Sequence, residues 1–484
     1  MHPRPLRLLL FTALGLAGSA AVFAGVAGVA TAATPPQTLR VDYFHSGNAR
    51  EERFALERVV VEPLPWPGDL AKTVDDTNLG KYRFEVIDRS SHRILYSRGF
   101  ASIYGEWETT GEASEIDRTF SESLRFPRPP LADGPVQVVL KKRDKANDFR
   151  EIWSLVVDPA DMLVDASRPP SAGELIALQR AGDPADKLDF LILGDGYTAA
   201  ERGKCESDAR RLMAILFAVE PFQGRRTDLN VWGLCPAAAE SGISRPSLGI
   251  HRRPPAGSTY DAFRSERYIL TFDNRAFRDL ASQAPYEVVE ILANGNTYGG
   301  GGIFGQFSTV AADSLWAPYV FVHEFGHHLA ALADEYYTSA VAYAPAADRL
   351  EPWETNVTAL LDPATLKWKD LVEPGTPLPT PWEKEAFEAR SREIQTERRK
   401  IRAEKRPESE MDALFTQQRD EEEKRLGAET HAHQVGAFEG ANYEAKGYYR
   451  PAVDCIMFTR DRVPFCPVCR HSIDRVIDLY ARRK

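Results

Sequence analysis

The residues best suited to chemistry in this chain are His323-Glu324-Phe325-Gly326-His327, which follow the apolar run Ala317-Pro318-Tyr319-Val320-Phe321-Val322. On a helix, residues four apart share a face at about 6 Å, so the two imidazoles can grip one zinc ion while Glu324 lies beside them. Zinc held this way lowers the pKa of a water molecule and polarises a carbonyl, and a neighbouring carboxylate takes the proton and later returns it to the leaving amine. The glutamate must therefore stand next to a ligand without being one. The pattern is that of a zinc-dependent peptidase with Glu324 as general base.

Two histidines do not complete a catalytic zinc site, which needs a third protein ligand and one position left for water. Asp334 is the expected third ligand, eleven residues after His323. On an unbroken helix it would lie about 16 Å along the axis, so ligation predicts that the helix stops and the chain turns back. Ala330 and Ala331 stand where a glycine would ease that turn, although alanine prefers helix. Glu335 is the alternative ligand. His328 points away from the face set by His323 and His327, in an outer-sphere or surface role.

These side chains need elements to position them. Arg4 and Arg7 precede an apolar run from Leu8 to about Ala33 ending in Ala30-Thr31-Ala32, so residues 1–33 read as a signal peptide or an uncleaved N-terminal anchor. The chain is expected to be exported, whether secreted, periplasmic or at the cell surface, and to meet a membrane only if that segment stays. Residues 34–167 show short alternating segments, as at Arg58–Glu62, Tyr82–Ile87 and Val136–Leu140, which predict an all-β, sandwich-like domain. Within it, Ile103–Glu108 reads as a recognition surface or as a strand burying alternate side chains. Residues 168–484 form the second domain. Leu188–Leu193, Leu229–Leu234 and Glu287–Leu292 are expected to be buried strands of an α/β sheet. Asp195 stands at a strand end as a ligand or a turn former. Residues 381–429 are dense in Glu, Lys, Arg and Gln and divided by Pro407, a pattern that predicts a charged helical hairpin projecting from the surface. The glycines of Asn296–Gly305 suggest a rim where a backbone can approach closely, with Ile303–Val310 offering ladder groups to an extended peptide.

At 484 residues the chain has room for two or three domains, and 43% hydrophobic with 27% charged residues is ordinary globular composition. Sixty basic against seventy acidic residues leave a formal charge of −10, which argues against nucleic acid as a partner. The expected partner is a protein or peptide substrate.

Nearly end to end, the chain resembles the igalysins, a family of IgA-specific-metallopeptidase-like enzymes in the metzincin clan. The resemblance rests on His323–Tyr337, Glu439–Phe458, Phe465–Cys469, and the N-terminal stretches Trp66–Val86 and Tyr96–Pro127. It implies a metzincin-like zinc-peptidase domain behind a β-rich N-terminal domain, with one catalytic zinc. It also implies that Cys455-Ile456-Met457-Phe458 is the tight turn that places a methionine beneath the metal. Tyr448 or Tyr449, just before it, could donate to a developing oxyanion or simply pack.

Export permits disulfides. Cys205 with Cys235, and Cys455 with Cys466 or Cys469, are the preferred pairs, leaving one of the five cysteines free. The C-x-x-C of Cys466 and Cys469 could also bind zinc, but such a site wants four ligands and only His471 is an obvious local addition. Two rival readings bound the functional expectation. A catalytically silent surface or glycan- or protein-binding protein would need neither Glu324 nor an open metal position. A gluzincin would take its third ligand from a glutamate on a separate downstream helix.

Overall fold

The computed structural model describes residues 35–130, 133–339, 341–343 and 348–482; the expected signal or anchor at 1–33 lies outside them. Alternating side chains in the first part build two antiparallel sheets. β1 (Gln37–Gly47) lies between β2 (Glu52–Pro65) and a later strand, and β3 (Tyr82–Asp88) pairs with β4 (Ile94–Phe100). A short helix, α1 (Ile103–Trp107), precedes β5 (Arg118–Pro127), β6 (Val136–Arg143) and β7 (Phe149–Val157). The orders are β2-β1-β5 and β4-β3-β6-β7. Leu39, Val41 and Phe126 from one sheet and Phe84, Val86, Val138 and Leu140 from the other share one buried core, as two facing sheets require. The Ile103–Glu108 stretch is not a strand. The Ser102 hydroxyl accepts from Gly105 N at 2.8 Å and starts the one-turn helix α1, which buries Ile103, Tyr104 and Trp107.

The second part combines sheet and helices. It runs β8 (Ile176–Gln179), β9 (Leu188–Asp195), α2 (Arg202–Leu216), β10 (Leu229–Leu234), β11 (Ser258–Thr259), β12 (Leu270–Thr271), α3 (Asn274–Ala281), β13 (Val288–Ala293), β14 (Gly300–Ile303), β15 (Phe307–Ala311) and α4 (Ala317–Ala330). The main sheet has the order β14-β15-β13-β9-β10-β8, parallel through β15, β13, β9 and β10 and antiparallel at both edges. β9 is buried along its whole length because both faces are covered. Phe190 and Ile192 face a core shared with α2 and α4, while Leu191 and Leu193 face one shared with α3. Tyr104, Trp107 and Phe120 of the N-terminal part belong to that second core. The two parts are also pinned by Arg40 on Asp279 at 2.7 Å and Arg58 on Asp279 at 3.0 Å.

The charged segment folds into α5 (Lys384–Ala403) and α6 (Glu408–Leu426), with Pro407 capping the second helix. It does not project. Phe387, Ile394, Ile401, Met411, Phe415 and Leu426 are buried, with Phe415 against Tyr298 and Trp316 at ring separations of 5.2 and 5.9 Å. Sparse apolar residues on a helix can still form one continuous stripe, and here that stripe meets the body. The chain closes with the hairpin β16 (Phe438–Ala441) and β17 (Glu444–Arg450), then α7 (Pro467–Tyr480).

The glycine rim also differs from its expectation. Gly300–Ile303 is the edge strand, but its partner β15 is an inner strand, so Ile303–Val310 offers no continuous ladder to an incoming chain. The α4 backbone approaches only Gly302, through Glu324 O, whereas Gly299, Gly300 and Gly301 face Arg267 O, Thr309 O and Ile269 O.

Candidate metal centre

Pro318 lies in the first turn of α4, where a missing N–H costs nothing. Phe325 anchors the helix against Phe190 and Phe222 at ring separations of 4.6 and 5.4 Å. Burying such a ring contributes about 1.5–3 kcal/mol. The helix ends where ligation by Asp334 demands. Ala331 adopts the left-handed conformation at φ 55°, its N–H still bonded to His327 O at 3.0 Å. A left-handed L-residue costs about 1–2 kcal/mol that glycine would not. Ala331→Gly is accordingly expected to raise thermal stability by about 0.5–1 kcal/mol after the extra chain entropy of glycine is subtracted; a lowered melting temperature would contradict this.

The turn brings Asp334 back onto the two imidazoles. Asp334 Oδ1 lies 3.0 Å from His323 Nε2 and 3.2 Å from His327 Nε2, and the two Nε2 atoms are 3.1 Å apart. Around zinc with bonds of 2.0–2.1 Å, the edges of a tetrahedron are about 3.3 Å. The outer nitrogens are already committed to carbonyls: His323 Nδ1 to Ile456 O at 2.9 Å and His327 Nδ1 to Leu332 O at 2.5 Å. Donation at Nδ1 leaves each Nε2 lone pair facing the same point as a carboxylate oxygen, a donor set that calls for a cation. Tyr443 donates to Asp334 Oδ2 at 2.5 Å and fixes which oxygen faces inward. The three side chains fit a zinc ion as ligands.

Protons compete for the same lone pairs. Burial lowers His327, but the Asp334 charge overcomes it and lifts the imidazole to about 9. Below that pH, metal must displace a proton, so zinc affinity is expected to fall about tenfold per pH unit. Competition against a calibrated chelator at pH 8 and pH 6 should show a loss of about 100-fold; equal affinities would contradict it.

Glu324 lies beside the ligands in a cleft of about 620 Å³, whose lining includes Gly302, His327, Asp334 and Glu106. Burial raises the Glu324 carboxyl above its ordinary range, with His323 and His327 opposing. Gly302 is where strand meets helix. A β-carbon there would stand 2.4 Å from Glu324 O and 2.9 Å from His327 Cβ. Gly302→Ala is therefore expected to push β14 off α4 and cut hydrolysis by about tenfold or more through misplacement of Glu324; parallel assays and melting curves would reveal an unaffected enzyme. Beneath the helix, Met457 is fully buried, and its sulfur lies 3.1 Å from where a β-carbon on Gly326 would be.

Other expected residues take different places. Glu335 does not join the imidazoles: its Oε1 accepts from Asn356 at 2.9 Å, among Cys455, Cys466 and Cys469. His328 is buried, not on the surface: its Nε2 accepts from Val289 N at 3.0 Å, its Nδ1 bonds Ile303 O at 3.1 Å, and burial pushes it down to about 3. Asp195 binds loop amides, accepting from Ala256 N at 2.8 Å and Ser258 N at 3.0 Å. Tyr448 lines the cleft, whereas Tyr449 pairs with Thr358 through its backbone. Cys205–Cys235 is a disulfide, but Cys455, Cys466 and Cys469 are all free, contrary to the second expected bridge.

Two residues near the ligands have no counterpart in the motif reading. Tyr443 is the first, and the Glu439–Phe458 stretch was its only signal. Glu106 of α1 is the second, within the Ile103–Glu108 stretch read as a recognition surface or a strand; it lines the cleft from the N-terminal part and accepts from Tyr343 at 3.1 Å and from Tyr268. Burial pushes its carboxyl up to about 7, against those hydrogen bonds.

Comparison with known proteins places the chain in a family. The model of the IgA Peptidase M64 family matches residues 176–477, and that of the Peptidase M64 N-terminus matches residues 31–154. No curated protein matches the chain. The first match spans well over half of the 484 residues and contains α4, Asp334 and Met457, so the chain belongs to the IgA Peptidase M64 family and is by that membership a metallopeptidase.

Proposed function

We propose that the chain is an exported zinc endopeptidase of the metzincin type that hydrolyses peptide bonds with Glu324 as general base. The observation that carries this reading is the convergence of His323 Nε2, His327 Nε2 and Asp334 Oδ1 within 3.2 Å of one another beside the Glu324 carboxyl. The sharp turn at Ala331 and Met457 beneath Gly326 support the metzincin layout over one with a glutamate ligand on a later helix. The Cys205–Cys235 disulfide supports an oxidising compartment.

When bound, zinc would activate a water molecule and polarise the scissile carbonyl. Glu324, held by α4 and raised by burial, accepts the proton from water and delivers it to the leaving nitrogen. Tyr443 and the two backbone carbonyls keep the ligands in one orientation. The substrate backbone meets the edge strand at one rung. Gly300 is already bonded to Arg267 O and Ile269 N, and Phe304 O accepts from Ala101 N, so the outward-facing Gly302 between them is the point where a peptide can add to the sheet. Glu106 adds a further carboxyl, raised by burial, to the lining of the cleft.

The test is cleavage of a mixed peptide and protein panel by the purified chain, before and after chelation and again after zinc is restored. Loss on chelation and recovery with zinc are expected. A zinc-loaded chain that cleaves nothing across the panel would favour the silent binding protein.

A further inference from the structure

A second group of metal-ligand side chains lies close to the first. Glu335, Cys455, Cys466 and Cys469 are all buried, and each offers an atom within 4.8 Å of the others. They come from three segments: Glu335 from the loop after α4, Cys455 from the turn before Met457, and Cys466 and Cys469 from the start of α7. Cys455 Sγ and Cys469 Sγ are 3.9 Å apart, and Cys469 Sγ is 3.4 Å from Glu335 Oε1. In a zinc tetrahedron with Zn–S bonds of 2.3 Å and a Zn–O bond near 2.0 Å, these edges would be about 3.8 and 3.5 Å.

The carboxylate supplies an independent observation. Asn356 donates to Glu335 Oε1 at 2.9 Å, but Oε2 is buried with no hydrogen-bond partner among the described residues. A buried carboxylate with one oxygen left unpaired is costly unless a cation bound to the group offsets its charge. A disulfide would not solve this. Joining any two of the three sulfurs would leave one thiol and the carboxylate still confined together. His471 is not needed as the fourth ligand, because Glu335, remote in sequence, fills that place.

We propose that Glu335, Cys455, Cys466 and Cys469 hold a structural zinc ion, distinct from the one at His323, His327 and Asp334. Four protein ligands close the coordination shell and leave no position for a reacting water. Binding releases the ligand thiol protons to solvent and involves no oxidation. The ion would brace the first site from behind. Glu335 follows Asp334 directly, and its N–H donates to Met457 O at 2.9 Å; Ile456, next to Cys455, holds His323 Nδ1 through its carbonyl.

Zinc content and thiol state of the full purified chain test this. About two zinc ions per wild-type chain and about one in His323→Ala/His327→Ala are expected. Alkylation in denaturant with chelator and no reductant should label Cys455, Cys466 and Cys469. Loaded with cobalt alone, the double-histidine variant should show a thiolate-to-cobalt charge-transfer band that Cys469→Ser weakens. If Cys469→Ser does not fold, the first two measurements still decide. A double-histidine variant without zinc or thiolate band, or a single labelled cysteine in the wild type, overturns the proposal. Failure of the peptidase reading would instead leave the thiolate band intact.

Discussion

Glu324→Gln is expected to keep its zinc and lose peptide hydrolysis by about 10²–10⁴-fold, the usual contribution of a positioned proton-transfer group. Glutamine preserves the shape beside His323 and His327 but cannot accept the proton. The proposed ligand atoms are Nε2 of the two histidines and Oδ1 of Asp334, none of which bonds Glu324, so metal content should match the wild type. The loss belongs in kcat at constant zinc occupancy. A variant that retains wild-type turnover would remove Glu324 from the mechanism. One that loses its zinc would make Glu324 a structural support of the metal site.

Asp334→Ala should act on the metal first. Its carboxylate bridges both imidazoles and accepts from Tyr443, and His327 and His323 hold it well below the ordinary aspartate range despite burial. Removing it leaves two neutral donors, too few for a tight zinc site. Zinc affinity is expected to fall by more than about 100-fold, the upper end of the loss from an outer-sphere partner alone. Equilibrium dialysis against buffered zinc measures this, and excess zinc should restore only part of the activity. Wild-type affinity in Asp334→Ala would shift ligation to another carboxylate and leave the bent turn at Ala331 without a purpose.

The legible part of the site was its local part. His323, Glu324 and His327 lie on one helical turn, so spacing alone brings them together. Asp334 requires a helix stop that alanine does not advertise; the left-handed Ala331 shows that tertiary packing overrides its helix preference. Strands such as Leu229–Leu234 were readable because a fully buried strand is a continuous apolar run. What was hidden depends on tertiary placement. Glu106 enters the cleft from more than two hundred residues away, on a helix too short to show periodicity. Glu335 meets Cys455, Cys466 and Cys469 only after α4, the Met457 turn and α7 are packed together. The charged arm misled because its stripe of Phe387, Ile394, Ile401, Met411 and Phe415 is narrow, yet narrow stripes suffice when two helices share them.

An anomalous-difference map at the zinc absorption edge, from crystals of chain whose peptidase activity has been measured, tests the central claim most directly. The expected result is an ion about 2.0–2.2 Å from His323 Nε2, His327 Nε2 and Asp334 Oδ1, with Glu324 beside it and not bound to it. An active chain with no ion at those three atoms would contradict the zinc-peptidase mechanism.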